Sequence, residues 1–429
     1  MSSKKVLIIT YYWPPAGGPG VQRWLKFVKY LPEFDIEPIV YCPENPNYPI
    51  IDNSLLDTVS KKIKVLKQPI KEPYRLARLF SKKSTNKISS GVIPKAKKQS
   101  IIERLLLYIR GNFFIPDARK NWVKPSIEFL DKYISENKID CVVTTGPPHS
   151  LHLIGLGLKE RLDLKWLADF RDPWTNIGYH KALKLTQKAK AKHQKLEKEV
   201  LNKADKLIVT SNNTKNEFLL KTTTPISVIT NGYDHHNIPK QTKYINFTLS
   251  HIGSLLSERN PIILWKVLSE LVTENLSFAK SLQLNLIGVV SDDVIQSIKA
   301  HKLEPFLNVV GYVEHEKAIA YQMKSRVLLL IEIDSEETKA IIPGKLFEYM
   351  ISETPILALG PVGSDVETIL KSTNTGVYYN YQNEIALKKQ ILVFYEDFKN
   401  STLEVNAIGL QSYSRKALTK SLSIILRNI

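Results

Sequence analysis

Short apolar runs alternate with amphipathic segments along most of this chain of 429 residues. Runs with few polar positions are typical of strands that are buried on both faces of a parallel sheet. The segments between the runs carry apolar residues at helical spacing. In the first half, strands are predicted at Val6–Thr10, Ile36–Cys42, Ile139–Thr145, Lys165–Phe170, Lys206–Thr210 and Ile226–Thr230. In the second half, they are predicted at Phe247–Ile252, Leu282–Ile287, Leu307–Val310, Val327–Ile331 and Pro355–Leu359.

This alternation predicts the α/β fold class, with two doubly wound Rossmann-like domains that face each other across a cleft. Residues 1–240 are expected to form the N-terminal domain, with an interruption of the pattern at residues 61–120. Residues 241–405 are expected to form the C-terminal domain. Residues 406–429 are predicted to contain a C-terminal helix that can cross back to the N-terminal domain.

A glycine-rich loop follows the first predicted strand. Gly17, Gly18 and Gly20 stand just before a helix predicted from about Val21. Glycines at this point let backbone amides approach an anion at the helix N-terminus. The spacing differs from the dinucleotide-binding and P-loop signatures, so both of those interpretations are weak. An ordinary turn is the alternative.

Two polar clusters follow strands of the same predicted sheet. One runs from Thr144 to Ser150 and includes His149, and the other begins at Asp169 and includes Arg171 and Asp172. Loops at the carboxyl ends of parallel strands form the ligand-binding edge of an open sheet. Either cluster alone could be a satisfied turn, but together with the glycine loop they indicate a site.

The second half offers a helix that begins after Pro343-Gly344. Its residues Lys345 and Glu348 are three apart and can share one face. A cation beside a helix N-terminus suits a phosphate, and a carboxylate one turn later suits a sugar hydroxyl group. The alternative interpretation is a surface ion pair.

The charge is uneven along the chain. The net charge is +18, and residues 61–120 hold 17 basic but only three acidic side chains. Beside this charge lie apolar and aromatic residues, a combination that fits the surface of an anionic membrane. A solvated loop beside a core helix is the alternative, and nucleic acid is not expected because no binding motif is present. The lysines expected to touch lipid are Lys82, Lys83, Lys95, Lys97 and Lys98.

The location is predicted from the apolar runs and the cysteines. No run is long enough for a transmembrane helix, and the N-terminus does not have the pattern of a signal peptide. Cys42 and Cys141 lie in strand-like contexts and are expected to be buried thiols. We therefore expect a cytoplasmic protein that can be peripheral at the inner face of the membrane.

Several motifs resemble those of a known family. They are the glycine loop, Asp169–Trp174, Asn231–Asp234, Gly253-Ser254-Leu255 with Arg259, and Pro343–Met350. The chain is similar over nearly its whole length to family 4 glycosyltransferases of the GT-B fold, especially bacterial enzymes that build cell-surface polysaccharides. The resemblance implies a retaining sugar transfer from a nucleotide sugar to a lipid-linked or polysaccharide acceptor. It also implies that no cofactor and no metal are required.

The same resemblance assigns roles to individual residues. Arg259 and Lys345 would neutralise the leaving diphosphate, and Glu348 would accept hydrogen bonds from the ribose of the nucleotide. The residues expected to bind the donor are Gly17, Gly18, Gly20, Ser254, Arg259, Lys345 and Glu348. The residues expected at the catalytic centre are His149, Arg171 and Asp172.

The sequence departs from the family pattern in two places. The family usually has a glutamate eight positions before Glu348, where this chain has Ala340, and Glu336 or Glu337 could substitute for it. The usual histidine after the strand ending near Phe170 is replaced by Arg171-Asp172, so that His149 or His152 would have to supply an imidazole. Two other functions therefore stay open, a nucleotide-sugar epimerase of the GT-B fold and a non-catalytic nucleotide-sugar-binding protein.

Overall fold

The computed structural model describes residues 3–72, 101–176, 178, 180, 183–234 and 241–429. The chain forms two compact units. The first comprises Met1–Asn231 together with Arg415–Ile429, and the second comprises Gly232–Ser414. The sequence placed these divisions at residues 240 and 405. The five lysines expected to touch lipid lie outside the described residues.

The first unit is built on a seven-stranded parallel sheet with the order β3-β2-β1-β4-β5-β6-β7. The order reverses direction between β1 and β4, which is the switch point where a doubly wound sheet binds its ligands. The strands are β1 Lys4–Ile9, β2 Ile36–Pro43, β3 Lys64–Gln68, β4 Cys141–Gly146, β5 Lys165–Phe170, β6 Lys206–Val209 and β7 Ile226–Val228.

Both faces of this sheet are covered by helices. Alternate residues of β1 enter different cores, since Leu7 and Ile9 belong to one cluster of buried side chains and Val6 and Ile8 to another. A strand buried in this way needs apolar residues at every position, which explains its unbroken apolar sequence. The helices are α1 Pro19–Tyr30, α2 Ile101–Phe113, α3 Lys120–Asn137, α4 Ser150–Leu162, α5 Gln187–Lys203 and α6 Asn212–Leu219.

The second unit repeats this plan with a six-stranded parallel sheet of order β10-β9-β8-β11-β12-β13. Its strands are β8 Phe247–Ile252, β9 Leu282–Ile287, β10 Leu307–Gly311, β11 Val327–Ile331, β12 Ile356–Leu359 and β13 Gly376–Tyr379. Its helices are α7 Ile262–Glu274, α8 Leu276–Ser281, α9 Asp292–Ala300, α10 His315–Lys324, α11 Lys345–Met350, α12 Asp365–Thr373 and α13 Glu384–Lys399. The predicted class of two doubly wound Rossmann-like domains is therefore confirmed.

The last helix, α14 Arg415–Arg427, belongs to the first unit. Its buried residues Leu422 and Leu426 join the core beneath α1. A guanidinium nitrogen of Arg415 also donates a hydrogen bond to the carbonyl of Gln22, at 3.0 Å. The apolar positions of α14 recur at helical spacing, so that one face is buried and the other is solvated.

Strands β3 and β13 were not predicted. Both are short strands at an edge of their sheet, and their residues are only partly buried or exposed. An edge strand has one neighbour instead of two and can carry polar residues such as Lys64 and Lys67, which hides it from a search for apolar runs. No helix among the described residues is long and apolar enough to cross a membrane.

We expect Leu422→Ala to lower the free energy of unfolding by about 2–5 kcal/mol, because it leaves a cavity in a fully buried part of the first core. The measurement is equilibrium unfolding in denaturant. Ile424→Ala is the matched control on the same helix, since half of the Ile424 side chain is exposed. Equal losses from both variants would mean that α14 does not complete this core.

Acid should destabilise the first unit through His152, whose ring is fully buried against Phe170 and shares a hydrogen bond with the Thr144 hydroxyl. Burial lowers the pKa of His152 to about 3, whereas the unfolded chain takes up this proton near pH 6.5. The contribution of the neutral ring to the free energy of unfolding is thus fully present above pH 6.5, and it is lost as the pH falls toward 3.

The test compares unfolding free energies between pH 6.5 and pH 4. We expect His152→Gln to reduce the slope against pH by about 1.4 kcal/mol per pH unit, even though the variant is less stable throughout. Gln382→Ala, at an exposed position of the second unit that does not titrate, should leave the slope unchanged. A wild-type slope in His152→Gln would contradict the assignment.

Candidate active site

The glycine loop of the first unit lies where the sequence placed it, between β1 and α1. Gly18 has a φ of 84°, a conformation that favours glycine, and it precedes a helix without a side-chain cap. The amide of Gly17 donates to the carbonyl of Ile50, and a Cβ at Gly17 would approach the Ile50 side chain to 2.8 Å. The loop thus lies directly on the segment that follows β2.

A buried carboxylate connects the start of α1 to the sheet. Asp169, at the end of β5, pairs with Arg23 at 3.0 Å and accepts hydrogen bonds from the Trp24 indole at 2.6 Å and the Thr145 hydroxyl at 2.8 Å. Arg23 also donates to the carbonyl of Thr230 at 2.9 Å. Both charged side chains are almost completely buried, and such groups are stable only when they are paired and hydrogen-bonded.

Arg171 lies beside the same loops, but its guanidinium group is directed to the backbone. It donates to the carbonyl of Gly20 at 2.8 Å and to the carbonyl of Pro147, and it stands over the ring of Tyr12. These bonds join the glycine loop to the loop after β4. We infer that Arg171 positions the site, although the sequence placed it at the catalytic centre.

Asp172 is half-buried next to Arg171. Burial raises the pKa of its carboxyl group, and the charge of Arg171 opposes the rise. Within the described part of the chain, no group donates a hydrogen bond to this carboxylate. Its oxygens are therefore able to accept from another molecule.

His149 precedes α4 and is almost completely buried. Its ring stacks on Trp174 at 4.8 Å, and neither ring nitrogen has a hydrogen-bond partner among the described residues. Burial and the neighbouring His152 hold the pKa of His149 well below its usual value, so the ring is neutral near pH 7. A neutral imidazole offers one donor and one acceptor. No group of three or more His, Cys, Asp or Glu side chains in the described ranges could hold a metal ion.

In the second unit, three predicted residues line one cavity of about 170 Å³ at the carboxyl ends of the strands. Ser254 follows β8, Arg259 ends the turn after it, and Lys345 begins α11. The full lining consists of Gly253, Ser254, Arg259, Ile331, Glu332, Ile333, Thr338, Ile341, Pro343 and Lys345. The structure thus brings together the two cations that the sequence assigned to a diphosphate.

Lys345 is held against the end of β8. Its ammonium group donates to the carbonyl of Ile252 at 3.1 Å and to a ring nitrogen of His251 at 2.8 Å. Burial, followed by the charge of Arg259, lowers the pKa of Lys345 to about 7. An anion in the cavity would reverse this shift, because it favours the charged lysine.

Glu332 also lines this cavity and was not predicted. It follows β11 and is only 4% exposed. Its carboxylate accepts hydrogen bonds from the hydroxyl groups of Tyr378, at 2.8 Å, and Ser364, at 3.1 Å. Burial raises the pKa of Glu332 to about 7, against the opposing effects of these two bonds and of Arg259. The available signal was a single carboxyl residue directly after an apolar run, at the ligand edge of the sheet.

Glu348 has a different environment from Lys345. Its carboxylate accepts hydrogen bonds from His315 at 3.0 Å and from Gln322 at 3.3 Å, both on α10. It lines a separate cavity of about 930 Å³ that also includes Gln322 and Arg326. The structure therefore does not place Glu348 in the cavity of Arg259 and Lys345.

The candidates for the missing family carboxylate also lie elsewhere. Glu336 is 84% exposed and pairs with Lys339 at 2.6 Å. Neither Glu336 nor Glu337 is among the described residues that line the cavity of Arg259 and Lys345. Ala340 is half-buried in the loop before α11.

Comparison with known proteins gives a family match for part of the first unit. Residues 91–237 match the family model described as Glycosyltransferase Family 4. No curated protein matches the chain in sequence. The family match covers much of the first unit, including the loops with His149 and Arg171.

Solved structures resemble the chain over both units. The sucrose-phosphate synthase (tll1590) from Thermosynechococcus elongatus is 13% identical, with a TM-score of 0.63 over 99% of this chain and 98% of that one. Anabaena Alr3699/HepE in complex with UDP-glucose is 14% identical, with a TM-score of 0.59 over 99% and 100%. A TarM variant of S. aureus in complex with fondaparinux, alpha-GlcNAc-glycerol and UDP is 14% identical, with a TM-score of 0.58 over 99% and 100%.

At these identities the structural likeness establishes the fold alone, and the family match is confined to residues 91–237. The GT-B architecture is present in both units, and the match lies in the unit that carries the glycine loop. The chain has the GT-B fold, and its residues 91–237 match the family 4 glycosyltransferases, which supports a transferase enzyme.

Proposed function

We propose that this enzyme transfers a sugar, with retention of configuration, from a nucleotide-sugar donor to a lipid-linked or polysaccharide acceptor in cell-surface glycan synthesis. The observation that carries the proposal is the cavity in which Arg259, Lys345 and Ser254 meet at the ligand edge of the second sheet. Two cations and a hydroxyl group suit a diphosphate. Two structural neighbours, with UDP-glucose and with UDP bound, support this class of donor.

The two cations would act most strongly on the leaving group. Breaking the bond between sugar and diphosphate develops negative charge on the phosphate oxygen, and fixed cations stabilise that charge. Lys345 would contribute most when protonated, and a bound diphosphate favours that state. We propose that this electrostatic stabilisation takes the place of a metal ion.

Glu348 is proposed to accept hydrogen bonds from the ribose of the donor. Its carboxylate accepts hydrogen bonds from His315 and Gln322, which fix its direction. Glu348 lies one turn along α11 from Lys345, so different parts of one nucleotide-sugar donor could contact the two side chains. Its nucleoside would then contact Glu348, and its diphosphate would contact Lys345.

The first unit would supply the acceptor side of the reaction. The amides around Gly17, Gly18 and Gly20, at the N-terminus of α1, are proposed to approach the diphosphate. His149 and Asp172 offer hydrogen-bonding groups to an acceptor hydroxyl. For retention we propose front-face attack, in which the leaving phosphate takes the acceptor proton and no protein nucleophile is needed.

The acceptor is proposed to be reached at an anionic membrane, to which the enzyme binds peripherally from the cytoplasm. On α2 the side chains of Ile101, Leu105, Ile109 and Phe113 are exposed and recur every fourth residue. Arg104 is exposed on the same helix. Apolar side chains with a flanking cation are typical of helices that lie in a membrane interface.

Arg259→Ala should lower kcat by about 100-fold and weaken donor binding much less, because the charge on the leaving phosphate is largest in the transition state. A thermal-shift panel of nucleotide sugars identifies the donor first, since a ligand at 100 times its Kd stabilises by about 2.7 kcal/mol. Steady-state kinetics and donor Kd are then compared between variants. Lys280→Ala, at an exposed cation of the same unit, is the control. Equal losses in kcat and affinity would indicate ground-state binding only.

The double variant Leu105→Glu and Ile109→Glu should reduce binding to phosphatidylserine-containing vesicles at least tenfold, because each buried side chain of this size contributes about 1.5–3 kcal/mol. Binding is measured by co-sedimentation at low and high salt. The double variant Leu219→Glu and Leu220→Glu introduces the same charge at exposed apolar positions elsewhere in the first unit and should bind as the wild type does. Unchanged binding of the double variant would remove α2 from the membrane contact.

A further inference from the structure

The cavity of Arg259 and Lys345 contains a carboxyl group that a diphosphate site does not require. Glu332 is buried, whereas a carboxylate beside a bound diphosphate is repelled by it. Such a group is unfavourable for phosphate binding alone. Its presence in the lining therefore needs either a structural reason or a ligand group other than phosphate.

The surroundings of Glu332 fix its carboxylate in one orientation. The hydroxyl groups of Tyr378 and Ser364, from two different elements of the second unit, lie 2.8 and 3.1 Å from the two carboxylate oxygens. The Tyr378 hydroxyl also lies 2.9 Å from the carbonyl of Pro361, which shares its proton. A Cβ at Gly360 would come within 2.5 Å of one of these oxygens and within 2.2 Å of the Tyr378 hydroxyl. A carboxylate oxygen has two lone pairs, so each still has one site for an acceptor contact. The carboxylate is thus preorganised and not saturated.

We propose that Glu332 accepts hydrogen bonds from hydroxyl groups of the transferable sugar of the donor and determines which sugar is bound. This inference rests on the proposed function. A nucleotide sugar has three parts in order, and the proposed contacts of Glu348 with the nucleoside and of Arg259 and Lys345 with the diphosphate leave the sugar for Glu332. Glu332 lines the cavity of these cations, whereas Glu348 lines the other cavity.

The charge balance of the cavity agrees with this role. Arg259 and Lys345 supply two cations, and Asp365, Tyr378 and Tyr381 are the other titratable groups that act on or are influenced by Glu332. Burial raises the pKa of Glu332 to about 7, so the carboxylate is present in a large part of the molecules at neutral pH. A charged acceptor favours a sugar that places a hydroxyl group beside it over one that does not, because only the first sugar adds a charge-assisted hydrogen bond.

The experiment separates the sugar contact from the diphosphate contact in the full-length protein. Calorimetry gives Kd values for UDP-glucose, UDP-galactose, UDP-N-acetylglucosamine and GDP-mannose, and for UDP and GDP alone. The Kd of a free nucleoside diphosphate, divided by the Kd of its best-bound nucleotide sugar, measures the contribution of the sugar. We expect Glu332→Gln to leave the affinity for the free diphosphate within about twofold or to strengthen it, and to reduce the ratio at least tenfold.

Glu336→Gln is the matched control, since it removes an exposed carboxylate four residues along the same loop. It should retain the wild-type ratio. If Glu332→Gln does not fold, the ratio of wild-type Kd values between two UDP-sugars is measured against pH. This ratio should decline as Glu332 is protonated below about pH 7. Both UDP-sugars carry the same diphosphate charge, so the effect of Lys345 cancels between them.

Two results would overturn the proposal. An unchanged ratio in Glu332→Gln, including an equal loss of affinity for both ligands, would show that Glu332 only holds the loop. A ratio between two UDP-sugars that is independent of pH would show the same. These results leave the proposed function intact if the wild type binds and consumes a nucleotide sugar. Failure of the wild type to bind any nucleotide sugar would contradict the proposed function, and this inference with it.

Discussion

The site of the first unit depends on the ion pair and the hydrogen bonds of the Asp169 carboxylate. A fully buried negative charge is tolerated only when strong donors surround it, and here Arg23, Trp24 and Thr145 all point to one side chain. Two of these donors lie on α1, so the helix that follows the glycine loop is fixed against the end of β5. Arg171, two residues later, fixes the loop itself through the carbonyl of Gly20. The position of the glycine amides is thus determined from the sheet.

This arrangement changes the meaning of the polar cluster after β5. The sequence suggested that Arg171 takes part in the chemistry, because a charged residue at the ligand edge usually points toward a ligand. Its guanidinium group instead satisfies backbone carbonyls, which need donors where loops are buried. His149 differs, because its ring nitrogens have no partner among the described residues although the ring is buried. An unsatisfied buried polar group is costly, and a substrate hydroxyl could relieve that cost.

Much of the fold was accessible from the sequence, but the directions of the side chains were not. Apolar runs such as that of β1 predicted both parallel sheets, because strands buried on both faces cannot contain many polar residues. Helical spacing suggested that Lys345 and Glu348 share a site. The long lysine side chain, however, reaches back to Ile252, while the shorter Glu348 meets α10. Glu332 was hidden because Ile331-Glu332-Ile333 has the alternation of an ordinary strand.

The second unit holds two basic side chains, Arg259 and Lys345, close together in one cavity. A guanidinium group is not deprotonated in proteins, so it is the lysine that can release its proton. Burial and the charge of Arg259 bring the pKa of Lys345 to about 7, and neutral His251 accepts a hydrogen bond from the lysine without adding charge. Loss of the lysine proton therefore reduces the repulsion between these two half-buried groups. A bound diphosphate would restore the proton to Lys345, so the full positive charge would develop only when an anion is there to balance it.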